Sequence, residues 1–192
     1  MDPRTVPLLA AFDAEAREAL LAAARRRTVA AGEAILVEGD PVRCAYIVLS
    51  GTARVFHRSP LGVELVVMFC RGPALFGELE VVLDRAHIEN VSAVDACELL
   101  ELPAAAFRAA YTADARGAVA LLEHGYAMLA MASHNQKALA FQDVRTRLAT
   151  LLCAYAAFDG TLAPDGTLVR TKMTQDDLAS AFWLWLAIAS IA

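Results

Sequence analysis

No two cysteines in this chain stand at metal-ligand spacing. Cys44, Cys70, Cys97 and Cys153 are scattered singly, without a C-x-x-C pair; this argues against an iron-sulfur or structural zinc site and fits free thiols in a reducing compartment. Histidine is as sparse. His57, His87, His124 and His134 stand alone, with no His-x-His set for a cupin-like metal site and no pairing that favours haem. Positive charge is short as well: 17 basic residues against 22 acidic ones leave a net charge of −5, so any contact with nucleic acid must be local. The chain lacks a G-x-S-x-G elbow, a phosphate-binding P-loop and an acid pair at catalytic spacing; neither a catalytic residue nor a metal ligand is expected, and no enzyme. The first residues lack the basic-then-apolar order of a signal peptide, so a cytoplasmic protein is the expectation.

What is present changes in pattern twice. Of the 192 residues, 58% are hydrophobic, ample for a core. An opening helix capped by Asp13 is expected to precede Gly32. Gly32, Gly39, Gly51, Gly62, Gly72 and Gly77 then punctuate short runs rich in β-branched and aromatic residues, "EAILVE", "CAYIVLS", "TARVFH", "VELVVMF", "IENVSAV" and "CELLEL". Such spacing, with a tight turn at Ser59-Pro60-Leu61-Gly62, predicts an antiparallel sandwich or barrel. From Ala104 to Asp159 proline is absent and glycine nearly so. Two apolar rows follow, one through Leu121, Gly125, Met128, Ala132 and Leu139, the other through Leu122, Tyr126, Leu129, Ser133, Gln136 and Ala140. A long helix with two usable faces can pack on its own domain and on a partner helix, so a homodimer is expected. A further helix follows Asp143, then a hairpin marked by two Asp-Gly turns, then a helix capped by Thr174, the order in which a winged helix-turn-helix begins.

The order of these pieces resembles the Crp/Fnr family of cyclic-nucleotide-binding-domain transcription regulators, from about Leu8 to about Phe182. "GEAILVEGD" at 32–40 and "YIVLSGTARVF" at 46–56 are similar to the first strands of its β-roll, and "GPALFGELEVV" at 72–82 to its phosphate-binding cassette. "LAFQDVRTRLATLL" at 139–152 is similar to its hinge, and "TKMTQDDLASAF" at 171–182 to the opening of its helix-turn-helix. The resemblance implies an α+β chain: a jelly-roll-like β-roll effector domain over 1–113, a dimerisation helix over 114–142, and an incomplete winged helix-turn-helix over 143–192. It implies that a small-molecule effector shifts the population of a two-state dimer about a hinge at Phe141, Gln142 and Asp143.

The effector contacts carried over are Gly77, Glu78 and Leu79 of the cassette, with Ser133 on the long helix. The family's cassette Arg followed by Ser/Thr is replaced by His87-Ile88; imidazole gives no permanently charged fork and isoleucine no donor. Arg85 could serve only if the turn is rebuilt. A cyclic nucleotide is therefore one candidate, and the effector is otherwise unknown. Lys172, Thr174 and Gln175 resemble the DNA-backbone contacts of the family. Beyond Phe182 the chain reads "WLWLAIASIA", which offers no guanine donor and no phosphate charge, so a working recognition helix is not expected. Those residues are also too short and unflanked for a membrane span, and a frameshift or truncation is expected there. The alternative is an effector-binding dimerisation module that does not itself bind DNA.

Overall fold

The computed structural model describes residues 2–113 and 115–169. A 3-10 turn at Pro3–Thr5 leads into α1 (Pro7–Ala10) and α2 (Ala14–Ala23). Then come β1 (Arg25–Val29), β2 (Ala34–Leu36), β3 (Cys44–Ser50), β4 (Thr52–Arg58), β5 (Glu64–Arg71), β6 (Ala74–Phe76), a short helix α3 (Glu78–Leu83), β7 (Asn90–Ala93), β8 (Cys97–Pro103), α4 (Ala104–Thr112), the long α5 (Ala115–Phe141), α6 (Val144–Asp159), and β9 (Gly160–Ala163) with β10 (Gly166–Val169). The chain divides into two compact units, residues 1–56 with 69–126, and residues 57–68 with 127–192.

The strands form two four-stranded sheets, ordered β1-β8-β3-β6 and β2-β7-β4-β5. This is the expected antiparallel β-roll, and the fold is α+β. Alternation along β3 sorts its side chains between two faces. Ala45, Ile47 and Leu49 join Leu100 and Leu102 of β8 in a core with Leu8, Leu9, Leu20 and Phe107 of the helices and Phe12 of the α1–α2 turn. Phe12 meets Phe107 edge to face, with centroids 5.8 Å apart. Tyr46 lies on the other face, stacked on Phe76 of β6 at 5.4 Å. Each fully buried aliphatic side chain here contributes roughly 1.5–3 kcal/mol, which is why the roll needs its helical cover.

One element departs from the sequence pattern. The expected cap is present, since Asp13 Oδ1 accepts from the amides of Glu15 and Ala16 at 2.9 and 3.1 Å. The helix nevertheless ends at Ala23, and Arg25-Arg26-Arg27 begin a strand instead of completing it. Cross-strand charge explains the difference: Arg26 pairs with Glu98, and Arg27 with Glu101 at 3.5 Å and Glu33 at 3.2 Å. These partners, with β-branched Thr28 and Val29 behind them, favour the extended chain over the helix that the arginines alone suggest.

In the second unit, the Ser59–Gly62 turn closes with Gly62 N donating to Ser59 O at 2.9 Å. Asp143 caps α6, its Oδ1 accepting from the Thr146 amide at 2.7 Å. β9 and β10 form the hairpin predicted from the Asp-Gly turns. The expectations for Lys172, Thr174, Gln175 and "WLWLAIASIA" fall outside the described residues.

Candidate effector site

Gly77 opens α3 with φ at +76°, a left-handed conformation that costs any residue with a Cβ. The turn delivers Glu78 into the interior, where it is only 5% exposed. Its Oε1 lies 2.7 Å from Nε2 of His124 on α5, while Oε2 has no hydrogen-bond partner among the described residues. The bond to Glu78 raises the pKa of His124 against the opposing pull of burial, so the imidazolium form is favoured. The cassette is therefore fastened to the long helix by a partly buried Glu–His pair.

The surroundings are acidic. Burial, then Glu80 and Glu78, push Glu89 up to about 7 from the ordinary glutamate value of 4.5. Cys70 is buried nearby, its thiol pushed up to about 12 by burial first and by Glu78 and Glu89 next. That thiol is not a nucleophile at neutral pH. At its far end α3 is held by Arg108 of α4, whose Nε donates to Val81 O at 2.8 Å and whose NH2 group pairs with Asp84 at 2.7 Å. Asp84 itself has φ at +51°, the left-handed residue that ends the helix.

The sequence-predicted residues do not all converge. Gly77 and Glu78 stand together at the start of α3. Leu79 is half-buried against the helix-side core. His87 is 5% exposed, whereas Ile88 is 65% exposed and turned outward. Arg85 is exposed, its amide donating to Glu80 O at 3.1 Å. Ser133 is exposed on α5 within the second unit. At the hinge, Phe141 is 86% exposed and Gln142 N donates to Ala138 O at 3.0 Å. Sequence reasoning missed His124, treating it as a solitary histidine. Its signal was one of spacing: it lies three residues after the buried Leu121, hence on the same inward face. Among the described residues no group of His, Cys, Asp and Glu is arranged to hold a metal ion.

Comparison with known proteins agrees with this layout. The sequence profile described as "cyclic nucleotide-binding domain" matches residues 26–114, which span the roll, the cassette and α4. The roll is thus of the cyclic-nucleotide-binding type. A "cyclic AMP receptor protein" of Thermus thermophilus is 31% identical over 153 residues, covering 76% of this chain and 68% of that relative. A "CRP-like cAMP-activated global transcriptional regulator" of Mycobacterium tuberculosis is 24% identical over 148 residues, covering 77% of this chain. The match spans 66% of that relative's length. The structure of FixK2 from Bradyrhizobium japonicum superposes with a TM-score of 0.74 at 19% identity, covering 84% of this chain and 78% of that one. This chain belongs to the Crp/Fnr family of regulators.

Proposed function

We propose that this protein is an effector-responsive transcription regulator that works as a cytoplasmic homodimer and reads its effector through the α3 cassette. The observation that carries this reading is the Glu78–His124 pair at 2.7 Å. A ligand that competes for the Glu78 carboxylate must also disturb the long helix, and that is the differential contact a population shift requires. Gly77, Glu78, Leu79 and His87 would form the effector side, with Arg85 and Ser133 as further candidates, and Phe141 to Asp143 the hinge. DNA would be met through Lys172, Thr174 and Gln175.

The dimer is supported by α5 itself. Leu122, Tyr126 and Leu129 are 74, 70 and 67% exposed, a row of large apolar side chains on one helix face. Among the described residues no helix is long and apolar enough to cross a membrane. With His87-Ile88 where a cyclic phosphate would want Arg and Ser/Thr, cyclic AMP is one effector to test among others. A thermal-shift screen of cyclic nucleotides and haem is the direct experiment, because a ligand bound only by the folded protein raises the midpoint. Unchanged midpoints throughout would remove the effector reading.

A second reading, an effector-binding dimer that does not contact DNA, is favoured by the net charge of −5 and the uncharged "WLWLAIASIA". Gel shift across a salt series separates the two. A specific, salt-sensitive complex supports the regulator, and an intact dimer without one supports the module.

A further inference from the structure

Beside the cassette lies a cavity of about 270 Å³, lined by Ile35, Leu36, Pro41 and Tyr46. Its polar lining is Asp40, Arg43 and His87. Tyr46 stacks one ring face on Phe76 of β6, which fixes the ring where it lines the cavity. His87 is fixed by its backbone: its amide donates to Asp40 O at 3.0 Å and its carbonyl accepts from Gly39 N at 2.8 Å. Its imidazole, on a residue 5% exposed, makes no hydrogen bond among the described residues. The side chains of Asp40 and Arg43 are also uncommitted to any hydrogen bond or ion pair there.

Of these three polar heads only His87 is buried; Asp40 and Arg43 stand exposed at the mouth of the cavity with opposite charges available to a ligand. The volume is just under the ~300 Å³ at which small-molecule pockets begin, so it suits a metabolite of amino-acid size and not a nucleotide. One fixed cation and one fixed anion leave the wall with no net charge. Burial lowers the pKa of His87 despite Glu80 and Asp40, so the imidazole enters neutral, able to donate from one nitrogen and accept at the other.

We infer that this cavity is a binding site for a small zwitterion with an apolar body, such as a free aliphatic amino acid. Its carboxylate would meet Arg43, its ammonium Asp40 and the His87 acceptor, and its side chain the Ile35, Leu36 and Pro41 wall. The site goes beyond the cassette reading, since of the residues expected to hold the effector it uses only His87. It also assigns that residue work in place of the missing arginine: Gly77, at the start of α3, has His87 Cε1 3.7 Å from where a Cβ would stand, so occupancy is felt next to the cassette.

Titration calorimetry of the full chain with L-leucine, isovalerate and isopentylamine tests the site. Leucine binds in the millimolar range or tighter, and each single-charge analogue at least about tenfold more weakly. Arg43→Met and Asp40→Asn, both at exposed positions that tolerate substitution, each weaken leucine at least about tenfold. The proposal is overturned by wild-type protein that ignores leucine to roughly 10 mM, by isovalerate binding as tightly as leucine, or by leucine binding lost in Glu78→Gln but kept in Arg43→Met. Stabilisation by a cyclic nucleotide in protein that ignores leucine would sink the cavity while leaving the cassette reading intact.

Discussion

His124 and Glu78 form the pair on which the site's electrostatics turn. Replacing His124 with alanine leaves a carboxylate buried without its partner, and should cost about 2 kcal/mol in urea unfolding, the usual penalty for an orphaned buried polar group. The raised pKa of His124 gives stability that is fully present below the unfolded value of 6.5 and lost as pH rises through the higher folded value. Glu89 pulls in the same direction. Its folded value of about 7 lies above the ordinary 4.5, so the folded state holds the proton more tightly and stability falls as pH climbs between those two values. In chemical denaturation from pH 4.5 to 7.5 these two groups should lower stability as pH rises, against the opposite pull of His87 whose pKa burial lowers, and Glu89→Gln should remove the Glu89 share of the decline. An unchanged slope in that variant would remove Glu89 as the cause. None of this was visible from the residues one at a time, because Glu78 and His124 are 46 positions apart and only the fold brings them together.

At the scale of elements, glycine spacing and β-branched runs made β2, β3, β4, β5, β7 and β8 legible, because period and punctuation are local properties. β1 was not legible. Three arginines carry no strand signal of their own, and the partners that Arg26 and Arg27 meet, Glu98, Glu101 and Glu33, are supplied by the fold. α3 was missed for a related reason: six residues carry no helical period, and the helix is defined by Gly77 before it and Asp84 after it. Gly77→Ala should therefore destabilise by ~1 kcal/mol through the left-handed φ alone, whereas space is not the obstacle, its nearest neighbour to a new Cβ being Leu36 Cδ1 at 3.5 Å. The two apolar rows of α5 differ in exposure. Leu121 is buried, while Leu122, Tyr126 and Leu129 are exposed. Changing Leu122 and Leu129 together to glutamate should turn a dimer into a monomer in analytical ultracentrifugation; a wild-type monomer would discard that reading.

For the whole molecule, family and architecture were legible in the order of the motifs more than in any one of them. The effector chemistry was not, since His87-Ile88 says what the cassette lacks and only the structure shows where each side chain goes: His87 to a cavity, Ile88 to solvent. A six-residue helix has too few internal hydrogen bonds to persist unaided. α3 is held at one end by Glu78 on His124 and at the other by Arg108 on Val81 and Asp84. Its helicity is thus conditional. A ligand that draws Glu78 from His124 would unwind the segment as readily as move it, and the signal would leave the cassette as lost order, seen as faster amide hydrogen exchange across residues 78–83, with no need for a rigid lever.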